Sequence, residues 1–306
     1  MNSAVSEAAL IGLDWGTSSF RAYLIGKDGQ VREQKSAAQG IMAIKDRDFE
    51  GAFRSLLSSW SGHFSLPVIA SGMITSRNGW VETPYVPVPA GKDALASRLV
   101  PYRVDSGLEI HFVPGLNASH DAAPDVMRGE EVQVVGASAE AKGEGHVVLP
   151  GTHSKWVKVE AGRIVDFHTF MTGEVFAALK THTILGTLMT GGSFSCEGFE
   201  QGVRSGLCGD GDLLHRLFHV RTLPLFDRLP RTAAADYLSG ILIGSEIRSG
   251  LASHKNGDAV TLIGRGDLTD RYACALTVAG MKSRIASETV VASGLFEIAK
   301  SAGLTS

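Results

Sequence analysis

The sequence contains few cysteines and shows no excess of charge of one sign. Its three cysteines, Cys196, Cys208 and Cys274, lie far apart, and no two of them form a C-x-x-C pair. This pattern excludes a disulfide framework and a zinc site of the usual spacing, so a reducing, cytoplasmic location is expected. The formal net charge is -3, which gives no basic bias towards nucleic acid or anionic membranes.

Long apolar runs and leader-like features are also missing. No uninterrupted apolar run is long enough to span a membrane, and residues 1–9 lack a basic region followed by a long apolar run. We therefore expect no signal peptide and no membrane partner. The hydrophobic content of 44% is ordinary for a globular protein, and a length of 306 residues fits one large or two medium domains.

Several widespread catalytic motifs are absent. No G-x-x-x-x-G-K-[ST] motif is present, which excludes a P-loop nucleotide site. The H-R-D and D-F-G motifs of protein kinases are missing, and so are G-x-S-x-G and H-E-x-x-H. The ten histidines show no metal-ligand spacing.

The strongest positive signal lies near the start of the chain. Two short apolar runs at residues 10–13 and 20–25 flank a polar turn and predict a β-hairpin. The turn contains Asp14 and the hydroxyls of Thr17 and Ser18. Hydroxyls and backbone N–H groups can hold phosphate oxygens, whereas Asp14 would repel phosphate unless a cation such as Mg²⁺ lay between them. An ordinary surface hairpin explains this turn equally well when it is taken alone.

A second set of elements repeats this order. The first set begins at Leu10, and the second begins 137 residues later at Val147. Each has a strand, a Gly/Thr/Ser turn, a strand, a glycine turn and a third strand, and the second polar turn occupies residues 150–154. Internal repeats of this kind can decide the fold, and two facing phosphate hairpins could hold a polyphosphate.

Two further turns follow predicted strands. A polar loop at residues 71–80 follows a short buried strand at residues 67–70, and ligands gather at such strand ends in α/β folds. Later, a strand at residues 260–263 leads through a Gly-x-Gly turn at residues 264–266 into a helix at residues 267–276. That order suits the phosphate or ribose of a nucleotide, although it is not the Rossmann fingerprint.

A mid-chain helix is predicted at residues 126–141, with charged side chains near its start. These are Asp125, Arg128, Glu130 and Glu131. Carboxylates at this position either stabilise the helix N-terminus or provide a general base that faces a ligand, and the residues alone leave both readings open.

Four longer strings are very similar to the 2-dehydro-3-deoxygalactonokinase family, within the sugar kinase/Hsp70/actin superfamily. They are IGLDWGTSSFRAYLI, SGMITSRNGWVETPYVPVPA, DVMRGEEVQVVGA and LPGTHSKWVKVEAGRIVDFHTFMTGEVF. The resemblance runs from about residue 10 to 300. It implies an α/β fold with two actin/hexokinase-like (ribonuclease H-like) duplicated domains around an ATP cleft. It also implies a sugar-acid-binding lobe at residues 1–142 plus a closing helix at 289–306, and an ATP-binding lobe at 143–288.

The resemblance implies ATP- and Mg²⁺-dependent phosphorylation of the 6-hydroxyl of 2-dehydro-3-deoxy-D-galactonate in galactonate catabolism. By position, Asp14 would organise Mg²⁺ through water. Related sugar kinases place an aspartate at the start of the mid-chain helix, where this sequence has Gly129 and Glu130, so Glu130 is the first candidate for the base and Asp125 the second. The residues implied to bind the nucleotide are Thr17, Ser18, Gly151, Thr152, His153, Gly264 and Gly266.

An anionic substrate requires a cation for its carboxylate, which favours a guanidinium. The candidates are Arg21, Arg77 and Arg128, with Arg77 preferred because it lies in the polar loop. Lys155 could serve either substrate or phosphate. The residues expected to line the sugar pocket are Trp15, Ser71 and Asn78.

Alternative functions remain open at this stage. One is a kinase of another sugar or sugar acid, such as the gluconate epimer. A second is a non-catalytic, nucleotide-dependent sensor, and a third is an acyl-phosphate or polyphosphate hydrolase. The expected partners are ATP and a small sugar acid, with no nucleic acid, and a homodimer stays open.

Overall fold

The computed structural model describes residues 8–105, 107–140, 144–209, 212–252 and 259–305. The chain divides into two compact units. The first comprises Met1–Glu144, Val159–Asp166 and Ser287–Ser306, and the second comprises Gly145–Lys158 and Phe167–Ala286. The predicted lobe boundary at residues 142–143 lies outside the described residues. No helix of the described part of the chain combines the length and the apolar character that crossing a membrane requires.

Strands and α-helices are numbered in chain order. The strands are β1 (Ala8–Trp15), β2 (Phe20–Gly26), β3 (Val31–Ala37), β4 (Val68–Ser71), β5 (Tyr85–Pro87), β6 (Val100–Arg103), β7 (Glu109–Phe112), β8 (Gly115–Ser119), β9 (Pro124–Met127), β10 (Gly145–Leu149), β11 (Ser154–Glu160), β12 (Arg163–Phe170), β13 (Val260–Leu262) and β14 (Ser283–Ile285). The α-helices are α1 (Phe49–Leu56), α2 (Lys92–Ala96), α3 (Glu130–Glu140), α4 (Thr172–His182), α5 (Cys196–Leu207), α6 (Leu213–Leu225), α7 (Ala234–Leu251), α8 (Gly266–Val278) and α9 (Val290–Ser301).

The first unit is built on a sheet with the strand order β3-β2-β1-β4-β7-β6. Strand β1 runs antiparallel to β2 and parallel to β4, so its backbone is paired on both edges. Its near-continuous apolar run is typical of a central strand with both faces covered. The register places Asp14 opposite Arg21 on β2 and opposite Ser71 on β4. Three separate stretches of the chain therefore meet at the carboxyl end of β1.

Large aromatic side chains cover one face of this sheet. Trp15, Phe49, Phe53 and Trp60 are buried in one apolar cluster, and Trp80 packs against it. The periodic apolar residues of α1 supply Phe49 and Phe53, because helical spacing puts both on the same face. On another side of the unit, α3 packs against α9.

The second unit repeats the strand order of the first. Its sheet runs β12-β11-β10-β13-β14, so three consecutive strands are again followed by a strand parallel to the first of them. The repeat predicted from the sequence is therefore confirmed. Helices α5 and α7 pack closely in this unit: a Cβ atom added to Gly202 would lie 2.2 Å from the carbonyl oxygen of Tyr237.

The segment before the mid-chain helix differs from the prediction. A helix was expected at residues 126–141, but β8 and β9 pair antiparallel through Asn117 and Val126. Helix α3 begins only at Glu130. Gly129 explains the late start, because its φ of +105° is incompatible with a right-handed helix.

Candidate active site

The candidate site of the first unit centres on Asp14 at the end of β1. Its Oδ2 atom lies 3.7 Å from Nη1 of Arg21, and the Asp14 side chain keeps 19% of its surface exposed, against 50% for Arg21. Burial raises the pKa of Asp14 above its usual value, the Arg21 charge lowers it, and the Glu130 charge raises it further. A carboxylate with one long ion pair and some exposed surface retains oxygen lone pairs for a ligand.

Two glycines allow the start of α3 to approach β1. Gly72 has φ of +96°, and a Cβ atom there would lie 2.8 Å from the carbonyl oxygen of Trp15. Gly129 has φ of +105°, and its added Cβ would lie 3.0 Å from Cα of Gly72. The loop after β4 is therefore packed between β1 and the residue before α3. This contact brings Glu130 close enough for its charge to raise the pKa of Asp14.

Adjacent glutamates at the start of α3 occupy different environments. Glu130 is partly buried, and its Oε2 accepts a hydrogen bond of 2.9 Å from the N–H of Arg128. Glu131 is 0% exposed, and its Oε2 accepts a 2.7 Å bond from the N–H of Gly129. Its Oε1 has no hydrogen-bond partner among the residues that the structure describes. Burial, followed by the Glu130 charge, raises the pKa of Glu131 to about 8.

Glu131 was singled out in the sequence only as one of several charges near a helix. A more specific signal was available in its spacing. Glu131 lies three and four residues before Val134 and Val135, which are both buried, so helical periodicity places it on the apolar face. A carboxyl group on such a face is uncommon and is typical of functional or coupled sites.

Arg128 holds the polar loop in place. Its Nη1 donates to the carbonyl and hydroxyl oxygens of Thr75 and to the hydroxyl of Thr83, and its Nη2 donates to the carbonyl of Thr83. Its guanidinium also lies 4.4 Å from the centre of the Tyr85 ring. Loop residues thus accept hydrogen bonds from both Nη atoms of this guanidinium, and the predicted role of Arg128 in binding the substrate stays a prediction.

Two residues expected to line a sugar pocket are buried. Trp15 is 0% exposed and donates from Nε1 to the carbonyl oxygen of Gln39 at 3.0 Å. Ser71 is 1% exposed, and its hydroxyl donates to the carbonyl oxygen of Leu13 at 3.3 Å. Neither side chain offers surface to a sugar, so both predictions are corrected. The reason is local: each lies on a central strand that is covered on both faces.

The remaining first-unit candidates are accessible. Arg77 and Asn78 are exposed, and Arg47 anchors their loop by donating to the carbonyl oxygens of Asn78 and Gly79 at 3.4 and 2.6 Å. The Arg77 guanidinium makes no hydrogen bond or ion pair with any residue of the described ranges. It is therefore available to an anionic ligand.

Thr17, Ser18 and Asp125 also keep accessible surface. Thr17 and Ser18 are exposed in the turn between β1 and β2. Asp125 is partly buried on β9, where its Oδ1 accepts a 2.8 Å bond from the N–H of Val126. Asp125 is therefore a strand residue that lies five positions before α3, and not a residue of the helix start.

The second unit contains a cavity of about 610 Å³. This volume lies within the usual range for small-molecule and cofactor sites. Its wall combines the 150–154 turn, the start of α4, α7 and the start of α8. The polar residues that line it include Thr152, Thr172, Thr190, Thr232, Asp236, Ser239, Arg265, Asp267, Arg271 and Tyr272.

Part of the cavity wall is a guanidinium stacked on an aromatic ring. Arg271 donates from Nη1 to Oδ1 of Asp236 at 3.0 Å, and its guanidinium lies 4.3 Å from the centre of the Phe194 ring. The other oxygen of Asp236 accepts a 2.9 Å bond from the N–H of Ser195. This arrangement presents a flat, charged surface that suits an aromatic base. Sequence reasoning missed these residues, because they come from three separate segments.

The 150–154 turn contributes backbone and hydroxyl groups to another part of the wall. Gly151 and Thr152 line the cavity, as the sequence predicted for its second turn. His153 belongs to the same turn but lies outside the cavity wall, and its Nε2 is 2.5 Å from Oε2 of Glu174. Lys155 is 6% exposed, and its Nζ donates to the Thr169 hydroxyl at 2.8 Å. Lys155 is thus a buried residue of β11, and its predicted role towards substrate or phosphate stays a prediction.

The predicted strand, Gly-x-Gly turn and helix near residue 264 are confirmed. β13 ends at Leu262, and α8 begins at Gly266. Gly264 and Gly266 do not themselves line the cavity of the described residues, but their neighbours Arg265 and Asp267 do. The turn therefore borders the cavity through its side chains.

A family model places this chain among known proteins. The model described as 2-keto-3-deoxy-galactonokinase matches residues 14–298. A protein of Rhizobium meliloti (strain 1021), named as a probable 2-dehydro-3-deoxygalactonokinase, is 38% identical over 296 residues, or 94% of this chain and 95% of the relative. The 2-dehydro-3-deoxygalactonokinase of Escherichia coli (strain K12) is 34% identical over 293 residues, or 95% of this chain and 98% of the relative.

Solved structures agree on the fold. A crystal structure of a protein described as a 2-dehydro-3-deoxygalactonokinase, from Sinorhizobium meliloti, has a TM-score of 0.89 at 36% identity and covers 95% of this chain and 98% of that one. The activator of a 2-hydroxyisocaproyl-CoA dehydratase from Clostridium difficile, with bound ADPNP, has a TM-score of 0.52 at 10% identity over 95% of each chain. The predicted actin-like α/β fold is thereby confirmed.

Proposed function

We propose a sugar-acid kinase function for this chain, because it belongs to the 2-keto-3-deoxy-galactonokinase family. The reaction transfers the terminal phosphoryl group of ATP to 2-dehydro-3-deoxygalactonate, with the 6-hydroxyl as the acceptor. The observation that carries this proposal is the family match over residues 14–298, which spans the Asp14 site of one unit and the 610 Å³ cavity of the other. The first unit would bind the sugar acid and the second would bind ATP.

Asp14 would hold Mg²⁺ in this scheme. The cation prefers hard oxygen ligands and usually keeps several waters, and Asp14 offers a carboxylate that is 19% exposed, so the residue fits. When bound, Mg²⁺ would neutralise part of the charge on the transferring phosphates. The hydroxyls of Thr17 and Ser18 would contact phosphate oxygens from the same turn.

Glu130 would act as the general base, and Asp125 is the second candidate. A base must reach the hydroxyl proton that it removes and must remain ionised. Glu130 is partly accessible, lies beside Asp14, and is oriented by the bond from the N–H of Arg128. Asp125 is held by Val126 on β9, which is further from α3 along the chain.

Arg77 would bind the carboxylate of the sugar acid. Its exposed guanidinium could form a two-point contact with a carboxylate, which lysine cannot reproduce. Asn78 could add a hydrogen bond from the same loop. Arg21 is the second candidate, although it already shares its charge with Asp14 at 3.7 Å.

The nucleotide would lie in the cavity of the second unit. Backbone N–H groups of the turn at Gly151 and Thr152 would bind phosphate oxygens. Phe194 and Arg271 would stack on the base, and the turn that contains Gly264 and Gly266 would border the adenosine. His153 would reach phosphate only after leaving Glu174.

A coupled ADP-release assay tests the proposal. Mg·ATP is combined with 2-dehydro-3-deoxygalactonate, its gluconate epimer, neutral hexoses or no sugar. We expect turnover with the galactonate derivative, and the ratio of kcat/KM values for the two epimers defines specificity. Phosphorus–proton coupling in the NMR spectrum of the product identifies the acceptor hydroxyl. Equal turnover with and without sugar would exclude a kinase and favour a phosphohydrolase.

Substitutions in the first unit test the roles proposed for Asp14 and Arg77. Asp14→Asn should reduce kcat by about a hundredfold or more, since one removed charge contact in a transition state is worth several kcal/mol. Arg77→Ala should raise KM for sugar acids about tenfold or more, because it removes the charged hydrogen bonds to the carboxylate. The exposed Arg54→Ala is a control for loss of positive charge on this unit. If Arg77→Ala behaves like Arg54→Ala, another group binds the carboxylate.

A further inference from the structure

Glu246 on α7 is a buried carboxylate that accepts four hydrogen bonds. The side chain is 3% exposed. Its Oε1 accepts bonds of 2.7 Å from both the Ser154 hydroxyl and the Trp156 indole N–H. Its Oε2 accepts a 2.6 Å bond from the Tyr272 hydroxyl and another from the Thr172 hydroxyl. The carboxylate therefore uses both oxygens fully, and all four partners are neutral donors.

These four donors come from three different elements. Ser154 and Trp156 are on β11, Thr172 begins α4, and Tyr272 is on α8. Thr172 and Tyr272 line the cavity, and Ser154 ends the turn that contributes Gly151 and Thr152 to its wall. The hydrogen bonds thus connect three parts of the cavity wall, the 150–154 turn, α4 and α8, to a fourth element, α7.

Helix α4 also contacts the 150–154 turn directly. A Cβ atom added to Gly173 would lie 2.4 Å from the carbonyl oxygen of Gly151, so α4 begins in contact with the turn. The N–H of Glu174 donates to the carbonyl oxygen of Thr152 at 3.0 Å. A shift of Thr172 would therefore move the backbone at Gly151 and Thr152. Arg271 and Phe194 take no part in these bonds.

We propose that Glu246 is a positioning residue that orients the 150–154 turn and the start of α4 for the phosphates of the bound nucleotide. This inference rests on the proposed nucleotide site and adds a residue that does not itself line the cavity. Glu246 should therefore affect the affinity for ligands that carry phosphates, and it should not affect the affinity for the nucleoside alone.

Glu246→Gln is the sharpest probe, because it preserves side-chain volume. An indole N–H can only donate, so the amide oxygen must face Trp156 and Ser154. The amide NH₂ then faces Thr172 and Tyr272, whose hydroxyls must turn to accept. The variant therefore reorients two hydroxyl groups that line the cavity, while the packing of α7 stays intact.

Calorimetric titration of the full chain with ADP and with adenosine provides the test. For Glu246→Gln we expect the Kd for ADP to rise about tenfold, which is about 1.4 kcal/mol, and the Kd for adenosine to stay within about twofold. In the kinase assay, KM for ATP should rise while KM for the sugar acid is unchanged. Tyr272→Phe removes one of the two donors at the cavity and should shift the ADP affinity in the same direction.

Trp156→Phe is the matched control. It also removes one bond to Glu246, but Trp156 does not line the cavity, so it should lower the melting temperature without changing the ratio of ADP to adenosine affinity. Equal weakening of both ligands in Glu246→Gln, or no change in either, would overturn the positioning role while the kinase function stands. Failure of the unmodified protein to bind ADP would overturn the nucleotide site and this inference together.

Discussion

Replacement of Glu131 by glutamine should change how stability depends on pH. The folded protein buries this carboxyl completely, leaves Oε1 without a partner in the described part of the chain, and places the Glu130 charge nearby. These features raise the pKa from its ordinary 4.5 to about 8. Glutamine keeps the shape and the oxygen that accepts from Gly129, and it removes the titration.

The sign of the effect follows from proton uptake. Below the ordinary pKa of 4.5 the carboxyl is neutral in the folded and unfolded states alike. Between 4.5 and about 8 the unfolded chain has released the proton and the folded chain retains it, so the free energy of unfolding falls as pH rises. Above that range the loss is complete and stays constant.

The magnitude follows from the size of this shift. Each pKa unit corresponds to about 1.36 kcal/mol, so the free energy of unfolding of the unmodified protein falls by roughly 3 kcal/mol between about pH 5.5 and about pH 8. Glu131→Gln avoids this cost. The stability difference between variant and unmodified protein should therefore grow by about 3 kcal/mol over that range, in favour of glutamine.

Urea unfolding monitored by tryptophan fluorescence measures this difference. Three of the four tryptophans, Trp15, Trp60 and Trp80, belong to the first unit, so the signal reports mainly on the unit that contains Glu131. Glu82→Gln, at an exposed position, is a control for the replacement of a carboxyl group by an amide. Glu130→Gln should weaken the pH dependence of the unmodified protein, because the Glu130 charge contributes to the shift. A difference that stays constant with pH would refute a neutral, buried Glu131.

Three further substitutions follow from the geometry. Gly129→Ala should destabilise the protein by about 1–3 kcal/mol, since φ is +105° and the new Cβ would lie 3.0 Å from Gly72. Urea unfolding measures the loss, with Gly62→Ala as the control because no atom lies within 4 Å of an added Cβ there. An equal loss of stability in both variants would contradict the prediction. Arg128→Lys should lower the melting temperature and raise KM for the sugar acid, because lysine cannot reproduce the hydrogen bonds of the guanidinium to both Thr75 and Thr83. Unchanged values would show that the loop keeps its conformation without these bonds. Arg271→Lys keeps the charge but loses the flat contact at 4.3 Å from Phe194, so the affinities for ADP and for adenosine should both fall by about tenfold. A calorimetric loss of affinity for ADP alone would show that the base binds elsewhere.

Local patterns in the sequence were sufficient for much of the fold. The hairpin of β1 and β2 was predicted from two apolar runs around a polar turn, and the repeat in the second unit followed from the same signal. Strand, turn and helix near Gly264 were likewise predicted from neighbouring residues. Such features depend on side-chain alternation and on turn residues, which are properties of short segments.

The mid-chain segment shows where local patterns fail. Asp125 and Glu130 were both predicted to lie near the start of one helix, but β9 pairs with β8 and the helix begins after Gly129. Pairing between separate strands overrides helical spacing, and its hydrogen-bond partners lie elsewhere in the chain. Trp15 and Ser71 are buried for a related reason, because distant parts of the chain cover both faces of the sheet that contains their strands.

The sequence by itself determined the family, the repeated strand order and the polar groups at Asp14 and in the 150–154 turn. Only the tertiary structure decided that Glu131 is buried beside Glu130, that Arg128 holds a loop, and that Glu246 joins three walls of a cavity. The Glu246 bond to Ser154 connects residues that are 92 positions apart. Burial and hydrogen bonding depend on what the folded chain places around a side chain, and neighbouring residues in the sequence do not specify it.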